Sequence, residues 1–284
     1  MADPQDRSMA LFCDFENVAL GVRDARYDKF DINRVMERLL LKGSIVVKKA
    51  YCDWERYKEF KSVMHGASFE LIEIPHLRQS GKNSADIRMV VDALDLCYTK
   101  AHVDTFVIIS GDSDFSPLVS KLRENDKTVI GVGVKNSSSD LLIANCDEFI
   151  FYDDLVREEE AKKRARKRRE TTKKAESPDA HDRAERTGDA KADDGKTPED
   201  RKLEALDLIV ETIEALQRER GADDKIWGSM VKQALKRRKP GFNESYYGFK
   251  AFSDLLEEAE KRKLLELERD DKSGGYVIRE VRGE

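Results

Sequence analysis

Between residues 157 and 202 the chain contains no Val, Ile, Leu, Met, Phe, Trp, Tyr or Cys. Such a stretch has no apolar surface to offset the entropy of ordering itself into a globule. It splits the chain, so any fold must be two folds joined by a tether. The split also explains a charged fraction of 38% against 39% hydrophobic, too polar for one compact body of 284 residues. Within the tether, Lys162 to Arg169 is a dense cationic run preceded by Glu158 to Glu160, and Thr171 to Asp200 is a mixed-charge flexible linker. The cationic run reads as a solvated helix face first and as an RNA-backbone contact second. The expected layout is a catalytic-type domain over 8–153, a charged helical or disordered linker over 154–202, and a small domain over 203–280.

The N-terminal part alternates strand and helix. Apolar runs at Met9 to Cys13, Ser44 to Cys52, Phe69 to Pro75, Phe106 to Ile109, Thr128 to Val134 and Glu148 to Tyr152 read as strands. Helical spacing appears in Asp31 to Leu41, with Asp31 as N-cap, and in about Trp54 to His65. It recurs in Ala85 to Cys97, with Ser84 as N-cap, in Leu118 to Arg123 behind Pro117, and in Leu141 to Asn145. The apolar face of the Ala85 helix is expected to comprise Ile87, Val90, Val91, Leu94 and Cys97. This alternation predicts an α/β fold, a parallel sheet covered by helices.

Acids stand where strands end. Asp14 follows the first strand, and Ser110-Gly-Asp-Ser-Asp114 follows the fourth. Asp86 opens the helix between them, where the dipole favours an anion. Carboxyl ends of parallel strands share one edge, the ligand-binding edge of open α/β sheets, so Asp14, Asp86, Asp112 and Asp114 can converge. An all-carboxylate set without clustered His or Cys selects hard cations, Mg²⁺ or Mn²⁺. Such ions suit phosphoryl transfer because they activate water and neutralise phosphate charge. The bland alternative makes Asp14 and Asp86 helix caps and Asp112 a turn residue.

Asn17, Ser110 and Ser113 are short polar groups in the same loops, able to orient water or phosphate. Asp92 lies about 600° around the helix from Asp86 and is expected to support rather than to ligate. Asp140 reads as a helix cap and Asp147 as a fold-closing residue. Arg78, Lys82, Lys135 and Asn136 occupy loops on the same edge and suit nucleic-acid phosphates, with solvated loop charge as the alternative. Cys13, Cys52, Cys97 and Cys146 show no C-x-x-C spacing and read as buried free thiols. The four histidines carry no ligand spacing. No run approaches 18 apolar residues and the N-terminus has no signal-peptide core, so a soluble, cytoplasmic protein without a membrane partner is expected.

These residues resemble a NYN domain, the branch of the PIN-like nuclease fold that includes LabA-type proteins. The resemblance is carried by Leu11-Phe-Cys-Asp-Phe-Glu-Asn17, Lys82-Asn-Ser-Ala-Asp86 with Val91-Asp-Ala-Leu94, Ile109-Ser-Gly-Asp-Ser-Asp-Phe115, and Ser137-Ser-Ser139 before Asp140. It implies a metal-dependent ribonuclease with Asp14, Asp86, Asp112 and Asp114 as the acid cluster and Asn17 beside it. It also implies products with a 5′-phosphate and a 3′-hydroxyl.

After the tether, Leu203, Leu206, Ile209, Val210, Ile213 and Leu216 mark an amphipathic helix ending at Gly221. Trp227 to Leu235 reads as a second helix, Lys236 to Gly241 as a basic turn, and Glu244 or Ser245 through Leu256 as a third helix. Leu264 to Leu267 and Tyr276 to Ile278 read as a β-hairpin, giving a winged-helix pattern. Gly228 to Leu235 and Phe242 through Tyr247 to Leu256 resemble a LOTUS (OST-HTH) domain. That family includes RNA binders and protein binders, so a protein partner through this domain stays open. Lys232, Lys236, Arg237, Arg238, Lys239 and Lys250 favour RNA.

Two other functions fit parts of the pattern. A non-catalytic RNA-binding adaptor would keep the acid pocket for a structural ion. A haloacid-dehalogenase-like phosphatase would want a second Asp two residues after Asp14, where this chain has Glu16, and a lysine near the third acidic motif, where only Lys121 is available.

Overall fold

The computed structural model describes residues 7–27, 29–74, 84–161, 197–221, 224–270 and 274–281. The chain divides into two compact units, Met1–Lys174 and Ala175–Glu284. Arg78, Lys82 and the cationic run Lys162 to Arg169 lie outside the described residues.

The first unit is built on a six-stranded sheet, β1 (Arg7–Asp14), β2 (Gly43–Cys52), β3 (Glu70–Glu73), β4 (Thr105–Ile109), β5 (Thr128–Gly133) and β6 (Glu148–Phe151). Its order is β3-β2-β1-β4-β5-β6 and every pairing is parallel. Among the described residues, α-helices flank it: α1 (Phe15–Asp24), α2 (Ile32–Lys42), α3 (Lys58–Gly66), α4 (Ser84–Thr99), α5 (Ser116–Glu124), α6 (Asp140–Asn145) and α7 over 152–161. Strand side chains alternate between two cores because successive residues of a strand face opposite ways. Leu11, Cys13, Val107 and Ile109 pack against α1, α2, α3 and α7, while Phe12, Phe106 and Ile108 pack against α4, α5 and α6. The central strands are buried on both faces, as their continuous apolar runs require.

Several expectations change on inspection. The turn after Asp14 is helical (α1), with Phe15, Val18 and Val22 buried at helical spacing. Trp54 precedes α3 rather than opening it; it is buried, and its indole Nε1 donates to Ile72 O at 3.2 Å. On α4 the sheet takes Met89, Ala93 and Cys97, leaving Ile87 63%, Val91 55% and Tyr98 65% exposed. Of the face that periodicity picks, Cys97 is buried and Val90 and Leu94 pack against the core, whereas Ile87 and Val91 turn outward and Met89 and Ala93 take their place. Ser139, not Asp140, caps α6: its hydroxyl accepts from Leu141 N at 3.2 Å. Leu155 and Val156 bury into the sheet's core, and Arg34 pairs with Glu159 at 2.6 Å, so α7 belongs to the first unit. Cys13, Cys52 and Cys97 are buried and Cys146 is partly buried, all as free thiols.

The second unit has three helices, α8 (Pro198–Arg220), α9 (Gly228–Arg238) and α10 (Phe252–Lys261). They accompany an antiparallel sheet of β7 (Ile226–Trp227), β8 (Leu265–Arg269) and β9 (Tyr276–Val281), a winged-helix arrangement. Helix α8 starts with a capping box, Thr197 Oγ1 accepting from Asp200 N and the Asp200 carboxylate from Thr197 N. The third helix begins at Phe252 rather than at Glu244, because turns around Asn243 and Gly248 occupy that stretch. Gly248 holds a positive φ of 83° that a helix does not accommodate. Lys236 to Arg238 continue α9 instead of forming a turn. Among the described residues no helix is long and apolar enough to cross a membrane.

Candidate active site

The strand order places β1 beside β4, and the chain leaves them in opposite directions, toward β2 and toward β5. Such a switch point opens a crevice at the carboxyl ends of the strands. Asp14 ends β1 there and is only 8% exposed. Its Oδ1 accepts from Asn17 N at 3.4 Å, capping α1, and its Oδ2 accepts from Ser110 Oγ at 3.0 Å. Ser110 Oγ in turn accepts from Asp112 N at 3.2 Å. Asn17 Oδ1 accepts from Gly111 N at 2.9 Å, so the first turn of α1 holds the loop after β4 from a second side. Asp112 caps a single 3-10 turn, Ser113–Phe115, through Asp114 N at 2.9 Å.

Gly111 fits only because it lacks a side chain. A Cβ there would stand 2.4 Å from Ser137 O, and Gly111 O accepts from Ser139 N at 2.9 Å. The loop after β5 therefore presses directly on the loop that carries the acids.

Electrostatics brings the acids together. Burial pushes the Asp14 carboxyl up to about 7, with the Asp86 charge adding to it, Ser110 and Asn17 opposing, and Asp112 adding a little more. Asp86, in the first turn of α4, is raised by burial first and then by Asp112, Asp114 and Glu16. Asp112 is half-buried, and Asp114 is exposed at the rim. Glu16 is an acid that sequence reasoning did not place here; it sits in the first turn of α1 and is paired with Arg56 at 3.1 Å. Its signal was available, two residues after Asp14 at the start of an unrecognised helix.

The donor set is all oxygen, which suits a hard divalent cation, and a buried acid held near neutrality lacks the counter-charge such an ion supplies. Among the described residues, no three His, Cys, Asp or Glu side chains converge tightly enough to hold an ion by themselves. Mg²⁺ is commonly bound by one or two carboxylates, with waters and substrate phosphate completing the shell. The residues present fit that mode.

Other expected residues fall elsewhere. Lys135 and Asn136 are exposed on the loop after β5, at the same edge. Asp92 is not in the cleft; it accepts from Tyr51 OH at 2.9 Å, from Arg88 Nε at 3.1 Å and from Lys49 Nζ at 3.4 Å, holding α4 to β2. Asp147 Oδ2 accepts from Val129 N at 2.8 Å and joins β6 to β5. In the second unit, Lys232 pairs with Glu244 at 3.0 Å and lies over the Phe252 ring at 5.8 Å. Arg238 reaches Glu211 Oε1 at 3.2 Å and Thr212 Oγ1 at 3.4 Å with its side chain 10% exposed. These two bases knit the unit together, whereas Lys236, Lys239 and Lys250 are exposed.

A helix-covered parallel sheet with an acid-lined crevice at its switch point defines the class of the first unit. The NYN domain model matches residues 8–153, more than half of the chain, and this chain belongs to that family, whose domain is PIN-like and nuclease-like. The OST-HTH/LOTUS domain model matches residues 200–277, in the second unit. An uncharacterised protein of Methanocaldococcus jannaschii is 27% identical over 112 residues, covering 39% of this chain and 43% of the relative. The chain thus matches less than half the length of that curated relative. A crystal structure of a protein of unknown function from Vibrio parahaemolyticus aligns with a TM-score of 0.48 at 28% identity, covering 55% of this chain and 98% of that one.

Proposed function

We propose that the chain is a Mg²⁺- or Mn²⁺-dependent ribonuclease with an RNA-binding C-terminal module. The observation that supports it most is a buried Asp14, hydrogen-bonded to Ser110 and raised by burial and by the charge of Asp86, beside Asp112 at the crevice of a NYN domain. Asp14, Asp86 and Asp112 would hold the ion. When bound, it supplies activation of water and neutralisation of charge on the scissile phosphate. Ser110 and Asn17 fix Asp14 and the loop carrying Asp112, so the carboxylates are aimed before substrate arrives. Asp114, exposed at the rim, supports the cluster and faces incoming substrate. The family resemblance gives products with a 5′-phosphate and a 3′-hydroxyl. Exposed Lys135 at the same edge neutralises RNA phosphate, and Lys236, Lys239 and Lys250 do so on the second unit. A tethered RNA-binding unit raises the effective concentration of RNA at the acid cleft.

One observation favours a second reading. Because, among the described residues, no three acids close on one ion by themselves, the cleft also suits a non-catalytic RNA-binding adaptor. Purified full chain incubated with single- and double-stranded RNA and DNA, in Mg²⁺, Mn²⁺ or EDTA, separates the two. Cleavage of RNA that EDTA stops supports the ribonuclease; retention of RNA without cleavage in either metal supports the adaptor.

A further inference from the structure

Beside the acid cleft, between the starting turns of α5 and the helix α6, lies an open groove of about 660 Å³. That is within the range of small-molecule sites. Two of its walls are apolar, Pro117 and Leu141, and Leu141 is 57% exposed although a large aliphatic. Its polar lining comes from Ser113, Asp114, Ser116, Ser120 and Asn145. Ser120 and Asn145 are oriented in advance: Ser120 Oγ donates to Ser116 O at 3.1 Å, and Asn145 Nδ2 donates to Leu141 O at 2.7 Å. Ser116 is only 5% exposed, and its Oγ has no hydrogen-bond partner among the described residues. Buried hydroxyls are nearly always paired.

The charge of the lining narrows the occupant. A carboxylate lines the groove and no lysine or arginine does, so a backbone phosphate would meet repulsion without compensation. A nucleobase meets neither problem. Its faces are apolar and suit Pro117 and Leu141, and its edge carries the donors and acceptors that Asp114, Ser120 and Asn145 complement. We infer that this groove is a nucleobase pocket for the RNA residue beside the phosphate at the acid cleft, selective for bases bearing an exocyclic amino group. An ionised carboxylate only accepts hydrogen bonds. The exocyclic amino groups of adenine, cytosine and guanine donate to it, whereas uracil offers only its ring N3–H, flanked by two carbonyls that a carboxylate repels. The inference rests on the ribonuclease reading for its substrate, but base binding is measurable without cleavage.

The test uses isotope-labelled full chain in EDTA, titrated with adenosine, cytidine or uridine while backbone amide resonances of 113–120 and 141–145 are followed. Adenosine and cytidine are expected to shift these resonances with apparent affinity about five- to tenfold above uridine, the discrimination of roughly one hydrogen bond. Leu141→Ala is expected to abolish the shifts without lowering the melting temperature, and Asn145→Ala, which also loses hydrogen bonds to Leu141 O and Ser120 Oγ, to abolish them with only a small drop in melting temperature. Equal response to all three nucleosides, shifts confined to other residues, or undiminished binding by both variants would overturn the pocket. RNA cleavage with unmoved groove resonances would remove the pocket and keep the ribonuclease. Amino-selective shifts in a protein that cuts no RNA would do the reverse.

Discussion

Ser110 Oγ donates to Asp14 Oδ2 at 3.0 Å across 96 positions of sequence, tying the end of β4 to the end of β1. The same hydroxyl accepts from Asp112 N, so one buried serine aligns two of the acids. The cleft is thus assembled by hydrogen bonds within the protein. What those bonds leave uncompensated is the charge on Asp14.

That charge makes metal-free stability depend on pH. Asp14 holds its proton up to about pH 7 when folded, against an ordinary value of 3.8. Below about pH 4 the group is protonated folded or unfolded and costs nothing. Between there and pH 7 only the unfolded chain ionises, so stability falls as pH rises, by about 4 kcal/mol in all for roughly three pK units. Asp14→Asn is expected to melt several degrees above the wild type at pH 8 in EDTA and to match it at pH 4. Thermal unfolding at both pH values checks this. A variant less stable at pH 8 would contradict it.

Asp112→Asn retains an oxygen to accept from Asp114 N, so the 3-10 turn survives. Loss of the charge is expected to lower RNA cleavage at least about 100-fold with an unchanged melting temperature. Full activity in either metal would remove Asp112 from the machinery.

At Gly111 a methyl group would collide with a backbone carbonyl, which cannot rotate away. Gly111→Ala is expected to cost about 1–3 kcal/mol and to reduce cleavage by displacing Asp112. Gly66→Ala provides the contrast, since a Cβ there meets nothing within 4 Å at the end of α3. It should be neutral or stabilise by about 0.5–1 kcal/mol. Urea titrations of both variants compare the two.

Two bases two residues apart on α9 are expected to behave differently. Arg238→Ala breaks hydrogen bonds to Glu211 and Thr212 and should destabilise the second unit by about 2 kcal/mol. Lys236→Ala should leave stability unchanged, weaken RNA binding, and lower the slope of log K against log salt by about 0.7–0.9. Binding isotherms at several salt concentrations measure that slope.

The sheet and its acid edge were legible because punctuation is local. An apolar run stopping at Asp14 or at Ser110-Gly111 marks both the strand and its carboxyl end. Side-by-side placement of β1 and β4 was not legible in the same way, since pairing between residues 13 and 109 is a long-range choice. The contact face of α4 was misread by about one residue in rotation, Val90, Leu94 and Cys97 being right, because Ile87 and Val91 follow helical spacing as faithfully as Met89 and Ala93. Only the position of the sheet decides between them. Lys232 and Arg238 looked like RNA ligands by charge, and their acidic neighbours Glu244 and Glu211 are brought in by tertiary packing.

The central place of β1 also has a consequence for synthesis. β1 is made before the other strands of its sheet, and β2 covers one of its edges soon after. Its other edge waits for β4, about 90 residues later, which at roughly 5–20 residues per second is a delay of some 5–20 s. A newly emerging chain therefore carries Asp14 without Ser110 and an open strand edge where the cleft will close.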